Sequence, residues 1–98
     1  MPTAVEEVLR WASPATHLAR VATADTELGG KQIRAGDRAA LWFPSGNRDE
    51  AALPRPHAFD LKRKPNDHLA FSGGEHFCGG AHLARLELKL ILQCCCPD

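Results

Sequence analysis

The chain has 98 residues, enough for one domain with a modest core. Its 12 basic and 12 acidic residues cancel, which argues against nucleic acid or an anionic membrane as an obligatory partner. No apolar run is long enough to cross a bilayer and no signal peptide opens the chain. Three of the four cysteines (Cys94, Cys95, Cys96) are consecutive, a poor disulfide framework that points to a reducing cytoplasm.

Thr3-Ala4-Val5-Glu6 reads as a capping box that starts a first helix, with Thr3 as N-cap and Glu6 at the third helical position. Ala4, Val5, Val8, Leu9 and Ala12 give that helix an apolar face, and Ser13-Pro14 ends it. Leu18 to Thr26 carries β-branched residues in partial alternation and is predicted as a strand. Gln32 to Arg34 and Arg38 to Phe43 form two more, joined by turns at Leu28–Lys31 and Ala35–Asp37, which implies a small antiparallel sheet. Asn47 is placed to cap a short helical turn through Asp49, Glu50 and Ala51. Leu53 to Ala70, with Pro54, Pro56 and Pro65, is an irregular meander. A structureless stretch of that length is uncommon unless it has a function. A last helix is predicted over Gly79–Gln93, burying Leu83, Leu86, Leu90 and Ile91, and the cysteine tail is expected to fray.

The most informative segment runs from Phe71 to Arg85. It sets Cys78 in a glycine-rich loop just ahead of the last helix. A thiolate at a helix N-terminus faces backbone N–H groups and the positive end of the helix dipole, and both favour the charged sulfur. Such a thiolate is a good axial ligand for heme iron. Gly73 and Gly74 remove side chains where the backbone would approach a flat ring and are expected to allow positive φ. Read alone, a cysteine in such a place is more often a small buried apolar residue.

Phe71, Gly74, His76, Cys78 and Gly80, taken together at this spacing, resemble the heme-ligand signature of the cytochrome P450 monooxygenases. Ser72 and Gly79 depart from that pattern: the first stands where glycine is usual and puts a side chain into a tight turn, the second replaces a larger apolar residue. Glu7-Val8-Leu9-Arg10 resembles the family's Glu-x-x-Arg pair, which is buried there and locks its helix to the meander. The third arm of that lock is often an arginine. At the matching segment Pro56–Phe59 the expected position holds Ala58, leaving His57 as a substitute or the arm missing. Asn47-Arg48-Asp49 and Phe59-Asp60 followed by Arg63 also match family segments.

The resemblance implies an α+β chain equivalent to the C-terminal part of the mainly helical cytochrome P450 fold. Its parts are a Glu-Arg helix over 1–13, a small sheet over 18–43, a turn and meander over 47–70, a heme-ligand loop over 71–80, a helix over 79–93 and a cysteine tail over 94–98. It implies heme b held by Cys78, with Arg20 and His76 at the propionates and Phe71 against the ring. Residues 14–17 would be either pocket lining or a plain turn, and His68 a loop-structuring residue. A ferredoxin-like redox partner, a small lipophilic substrate and no membrane or nucleic acid complete the expectation. The family's long distal helix with its acid–alcohol pair has no counterpart here, so the chain is expected to be truncated and inactive alone. The alternatives are a non-enzymatic heme-binding fragment, or a small Cys/His protein binding a metal through Cys78, His76 and His82, a spacing that fits no standard zinc module.

Overall fold

The computed structural model describes residues 2–96, so Pro97 and Asp98 of the cysteine tail lie outside the described residues. Helix α1 spans Pro2–Ala12. Strands β1 (His17–Val21) and β4 (Arg38–Trp42) pair antiparallel with Leu18 opposite Leu41. They enclose a second hairpin of β2 (Thr26–Leu28) and β3 (Lys31–Ile33). A four-residue helix α2 (Phe43–Gly46) follows directly, and α3 spans Ala81–Cys95. Between α2 and the loop at 71–80 the chain has turns and bends without a helix or strand.

The predicted strand over Leu18–Thr26 is two strands in two separate ladders. The break comes from polar contacts that bend the hairpin: the Asp25 carboxylate accepts the Ala35 N–H at 2.8 Å, and Ala22 bonds with Asp37 and Gly36. The third strand stops at Trp42, because Phe43 turns into α2 with Pro44 in its first turn. Asn47 does not start a helical turn. It closes α2 from the far end, donating its N–H to the Phe43 carbonyl at 2.8 Å.

Thr3 lies inside α1 rather than capping it, and Glu6 reaches Arg85 and His68 instead of its own helix end. Ser13 ends the helix in a left-handed conformation (φ 42°), its N–H bonded to the Leu9 carbonyl at 2.9 Å. The core is small. Val5, Leu9 and Ala70 form its centre, with Phe71, Leu88 and Leu92 packed against it. The expected stripe of α3 is corrected here: Leu83, Leu86, Leu90 and Ile91 are each more than half exposed, and α3 turns Ala81, Leu88 and Leu92 inward. Helix α3 also begins two residues later than predicted and carries Cys94 and Cys95 in its last turn. The radius of gyration is 16.0 Å and the extents are 54 × 28 × 17 Å, against about 13 Å for a compact chain of roughly 100 residues. The long axis and thin core follow from apolar faces that the chain does not cover itself.

What orders the irregular stretch is charge, not apolar burial. Glu7 and Arg10 are fully buried. Arg10 grips the Glu7 carboxylate with two N–H bonds of 2.8 and 2.7 Å. Arg63, also buried, adds a third at 3.1 Å, the Asp60 N–H a fourth at 2.8 Å and the Asn66 amide a fifth at 3.1 Å. Two guanidiniums around one carboxylate leave a surplus positive charge, and carbonyl oxygens meet it. Those of Asn47, Pro56 and Ala58 accept from Arg10, and those of Pro54, Arg55 and Ala58 from Arg63. The third arm of the lock is therefore Arg63. His57 is exposed and contributes no side-chain bond to Glu7, because the turn from Asp60 to Arg63, closed by the Arg63 N–H on the Asp60 carbonyl at 3.0 Å, brings Arg63 back over the helix.

Removing one partner from such a buried cluster leaves an uncompensated charge, so Arg63→Ala should lower unfolding stability by about 3–5 kcal/mol. His57→Ala should change it by less than about 0.5 kcal/mol. Similar losses for both variants in denaturant titrations would contradict the assignment of Arg63.

Burial pushes the Glu7 carboxyl up, but the Arg10 and Asp60 bonds and the Arg10 and Arg63 charges outweigh it and lower its pKa from 4.5 to about 2. A depressed carboxylate stabilises the fold fully above its unfolded value and loses that contribution as pH falls through the folded one. Stability should therefore fall between pH 4.5 and 2, by on the order of 3 kcal/mol from this group. Glu7→Gln should be less stable at neutral pH and should flatten that slope. An unchanged slope in the variant would show that other carboxylates carry the acid sensitivity.

Candidate functional site

The loop from Phe71 to Gly80 connects the meander to α3, and its path is set by successive backbone bonds. Ser72 N–H donates to Leu69 O at 2.9 Å, Phe77 N–H to Gly74 O at 3.2 Å, Cys78 N–H to Phe71 O at 2.9 Å and Ala81 N–H to Cys78 O at 3.2 Å. The second of these closes a 3-10 turn over Gly74–His76. Gly74 has φ +66°, which glycine adopts without strain. Gly73 does not share this geometry: its φ is −165°, extended backbone that any residue adopts. The other left-handed residue is Ser72, φ 64°.

Cys78 is a free, exposed thiol. It stands three residues ahead of α3, with Gly80 as N-cap, so the helix does not begin at Gly79. The first helical N–H, that of Ala81, is taken by the Cys78 carbonyl. Phe71 is half-buried on the Val5–Leu9–Ala70 core, with the Phe77 ring 6.3 Å away at 64° and the Arg85 guanidinium 4.8 Å above its ring. The loop is thus rooted in the core at Phe71 and free at Cys78.

Arg20 and His76 line one cleft of about 360 Å³, together with Leu41, Trp42, Leu69 and Gly73. Arg20 projects from β1 and uses one N–H on the Ala19 carbonyl at 3.0 Å. An apolar cleft carrying a guanidinium and an imidazole suits a flat apolar ring with carboxylate tails. A Cβ added to Gly73 would meet no atom within 4 Å. Neither its φ nor its packing explains the glycine, whereas a ring lying against the loop would. On these grounds the residues present fit heme b. A larger cleft of about 390 Å³ between the start of α1 and α3 holds none of these groups.

Among the described residues no three His, Cys, Asp or Glu side chains come together to hold a metal ion, so Cys78, His76 and His82 do not assemble a zinc site. Residues 14–16 lead into β1, whose first residue, His17, has its ring centroid 4.8 Å from that of Trp42. Among the described residues no helix is long and apolar enough to cross a membrane.

Several residues organise the site through contacts that the sequence does not show. Asn47 is fully buried: its amide donates to Ser13 Oγ at 2.8 Å and accepts from Leu69 N–H at 2.6 Å, tying the end of α1 to the start of the loop. The sequence marks Asn47 as a turn cap and as part of the Asn-Arg-Asp match, and neither points to these contacts. Glu6, His68 and Arg85 form a second polar cluster beneath Phe71. Glu6 accepts from Arg85 at 2.6 and 3.0 Å and from His68 Nε2 at 2.8 Å. His68 Nδ1 accepts the Ala70 N–H at 3.2 Å, which leaves the ring proton on Nε2 to donate to Glu6.

This arrangement has counterparts. The family model for cytochrome P450 matches residues 1–95, and the chain belongs to that family. It is similar to the methyl-branched lipid omega-hydroxylase of Mycobacterium tuberculosis (strain ATCC 25618 / H37Rv), at 53% identity over 93 residues, covering 94% of this chain and 22% of that protein. It is similar to the putative cytochrome P450 YjiB of Bacillus subtilis (strain 168), at 54% identity over 92 residues, with 94% and 23% covered. The crystal structure of CYP109B1 from Bacillus subtilis superposes with a TM-score of 0.94 at 52% identity, covering 96% of this chain and 26% of that one. The fold is accordingly a piece of the cytochrome P450 fold, α+β as expected. The chain spans roughly a quarter of the length of these relatives.

The left-handed backbone at Ser72 is a local defect that glycine would relieve. A side chain there costs roughly 1–2 kcal/mol, partly offset by the greater unfolded-state freedom of glycine. Ser72→Gly should raise unfolding stability by about 0.5–1 kcal/mol. A loss of stability in denaturant titration would show that the serine side chain is held by a compensating contact.

Proposed function

We propose that this chain is the heme-thiolate-binding part of a cytochrome P450 monooxygenase, in which Cys78 would hold the iron of heme b through its sulfur. The observation that carries the reading is the pairing of a free, exposed Cys78 on a core-rooted loop with the nearby cleft that joins Arg20 and His76. Cys78 would supply the sulfur ligand. The Arg20 guanidinium and His76 imidazole would bind the two propionates. Gly73, Gly74 and Gly80 would keep side chains away from the ring, and Phe71 and Phe77 would shield the sulfur from water. When bound, heme supplies the redox-active iron with which the family inserts one oxygen atom from O2 into an organic substrate.

The relatives' names, a lipid omega-hydroxylase and a steroid C26-monooxygenase among them, favour a small lipophilic substrate for the whole protein. A small electron-transfer protein such as a ferredoxin is the proposed reductant. Four free thiols favour a reducing, cytoplasmic setting. Taken by itself, the 98-residue chain is proposed to bind heme without hydroxylating substrate, because the acid–alcohol pair that handles protons in the family is not among the described residues.

The test is heme titration of the chain followed by reduction under carbon monoxide. A strongly red-shifted Soret band that disappears in Cys78→Ala supports the reading, and an identical spectrum in that variant refutes it. Arg20→Ala and His76→Ala should keep the band but speed heme transfer to an apo-acceptor roughly tenfold or more. Unchanged off-rates in both would remove these two residues from the propionate site.

A further inference from the structure

The Glu7 cluster orders the meander, but a different polar cluster touches the cysteine loop. We propose that Glu6, His68 and Arg85 form a clamp that seats the Phe71 ring and, through the Phe71 backbone, holds Cys78 in place. Arg85 is then a positioning residue for the thiolate. The inference deepens the heme-thiolate reading and rests on it for its function, while the clamp itself can be tested without heme.

Three separate chain segments meet at this point. Glu6 comes from α1, His68 from the end of the meander and Arg85 from the second turn of α3. Arg85 makes a forked pair with Glu6, Nε to one oxygen at 2.6 Å and Nη2 to the other at 3.0 Å. The fork fixes the guanidinium plane, and its Cζ lies 4.8 Å from the centroid of the Phe71 ring. His68 takes the second Glu6 oxygen at 2.8 Å, and its own ring lies 6.3 Å from Phe71. Phe71 is therefore bounded by Arg85, by His68 and by the Val5–Leu9–Ala70 core.

The Phe71 carbonyl accepts the Cys78 N–H at 2.9 Å, the one bond that closes the loop back on its root. A ring free to tilt would carry that carbonyl with it, and the sulfur would follow. Burial pushes the Glu6 carboxyl up, but the Arg85 and His68 bonds outweigh it and hold it below the usual carboxylate range. The Glu6 bond in turn raises Arg85, so both partners are charged when the loop is seated. A lysine in place of Arg85 would keep the charge but lose the fork and the flat face over Phe71.

Amide hydrogen exchange on the full chain reads the loop directly. Cys78 N–H reports the clamp. Ala22 and Leu53, whose N–H groups bond to Asp37 and Asp49 in parts of the fold away from it, report opening outside the clamp. Arg85→Ala and the milder Glu6→Gln should each speed Cys78 exchange at least roughly tenfold while leaving Ala22 and Leu53 within about twofold. Arg85→Lys should recover only part of the protection. In a Phe71→Leu background, Arg85→Ala should add little, because the ring through which it acts is gone. Unchanged Cys78 exchange, an equal rise at all three amides, or a full additional effect in the Phe71→Leu background would each overturn the proposal. Heme titration separates this outcome from failure of the underlying reading. A wild-type chain without a thiolate-type carbon-monoxide band would refute Cys78 as ligand, and the exchange pattern would still decide the clamp. A wild-type band together with wild-type exchange in both variants would refute the clamp alone.

Discussion

One buried carboxylate organises this structure. Glu7 accepts bonds from Arg10, Arg63, Asn66 and the Asp60 backbone, and the two guanidiniums reach out from it to carbonyls along residues 47–58. An ion with this many partners is worth keeping buried only when all are present together, since the desolvation of any one left alone is large. The consequence is that some twenty residues without helix or strand acquire a single path. Apolar burial could not do this here: the core is a few side chains, and most large apolar residues stand exposed.

That path determines where the cysteine loop starts. Asn47, held by Arg10 through its carbonyl, binds Leu69 through its side chain, and Leu69 in turn accepts the Ser72 N–H. The meander therefore ends at a fixed height above α1, and Phe71 falls onto the core made by Val5, Leu9 and Ala70. From there the loop carries Cys78 outward, near the cleft where Arg20 and His76 meet. The chemistry proposed for the chain depends on a charge cluster that touches neither the sulfur nor the cleft. The exposed faces of α3 and of the β1–β4 ladder are consistent with a chain that spans about a quarter of its relatives' length.

The parts legible in the sequence are those with rigid local spacing. Glu7 and Arg10 stand three apart on a helix, so their contact follows from helical geometry. Phe71 to Gly80 was legible through its resemblance to the family's signature, with glycines, histidine and cysteine at matching positions. What was not legible depends on long-range placement. The Phe59-Asp60 match singles out Arg63, but Arg63 reaches Glu7 only through the turn from Asp60 to Arg63, and no local rule aims that turn at α1. Thr3 and Glu6 satisfy the capping-box pattern, yet Glu6 gains more from a forked arginine across the fold than from its own helix end. Periodicity marks Leu83, Leu86, Leu90 and Ile91 as an apolar face of α3 but cannot say which face the chain itself covers. The inward side is the less apolar one, with Ala81, Arg85 and Leu88. Ser72 shows the converse: the departure from the family pattern was visible in sequence, but its left-handed backbone was not.

The central claim, that Glu7 and the meander arginine act as one unit, is tested most directly by a double-mutant cycle. Unfolding free energies of the wild-type chain, Glu7→Gln, Arg63→Met and the double variant give the coupling between the two side chains. The account predicts a coupling of roughly 1–3 kcal/mol, because each single change strands the other partner in a buried site. Additivity within about 0.5 kcal/mol would contradict it and show that the meander is held by something other than the Glu7 carboxylate.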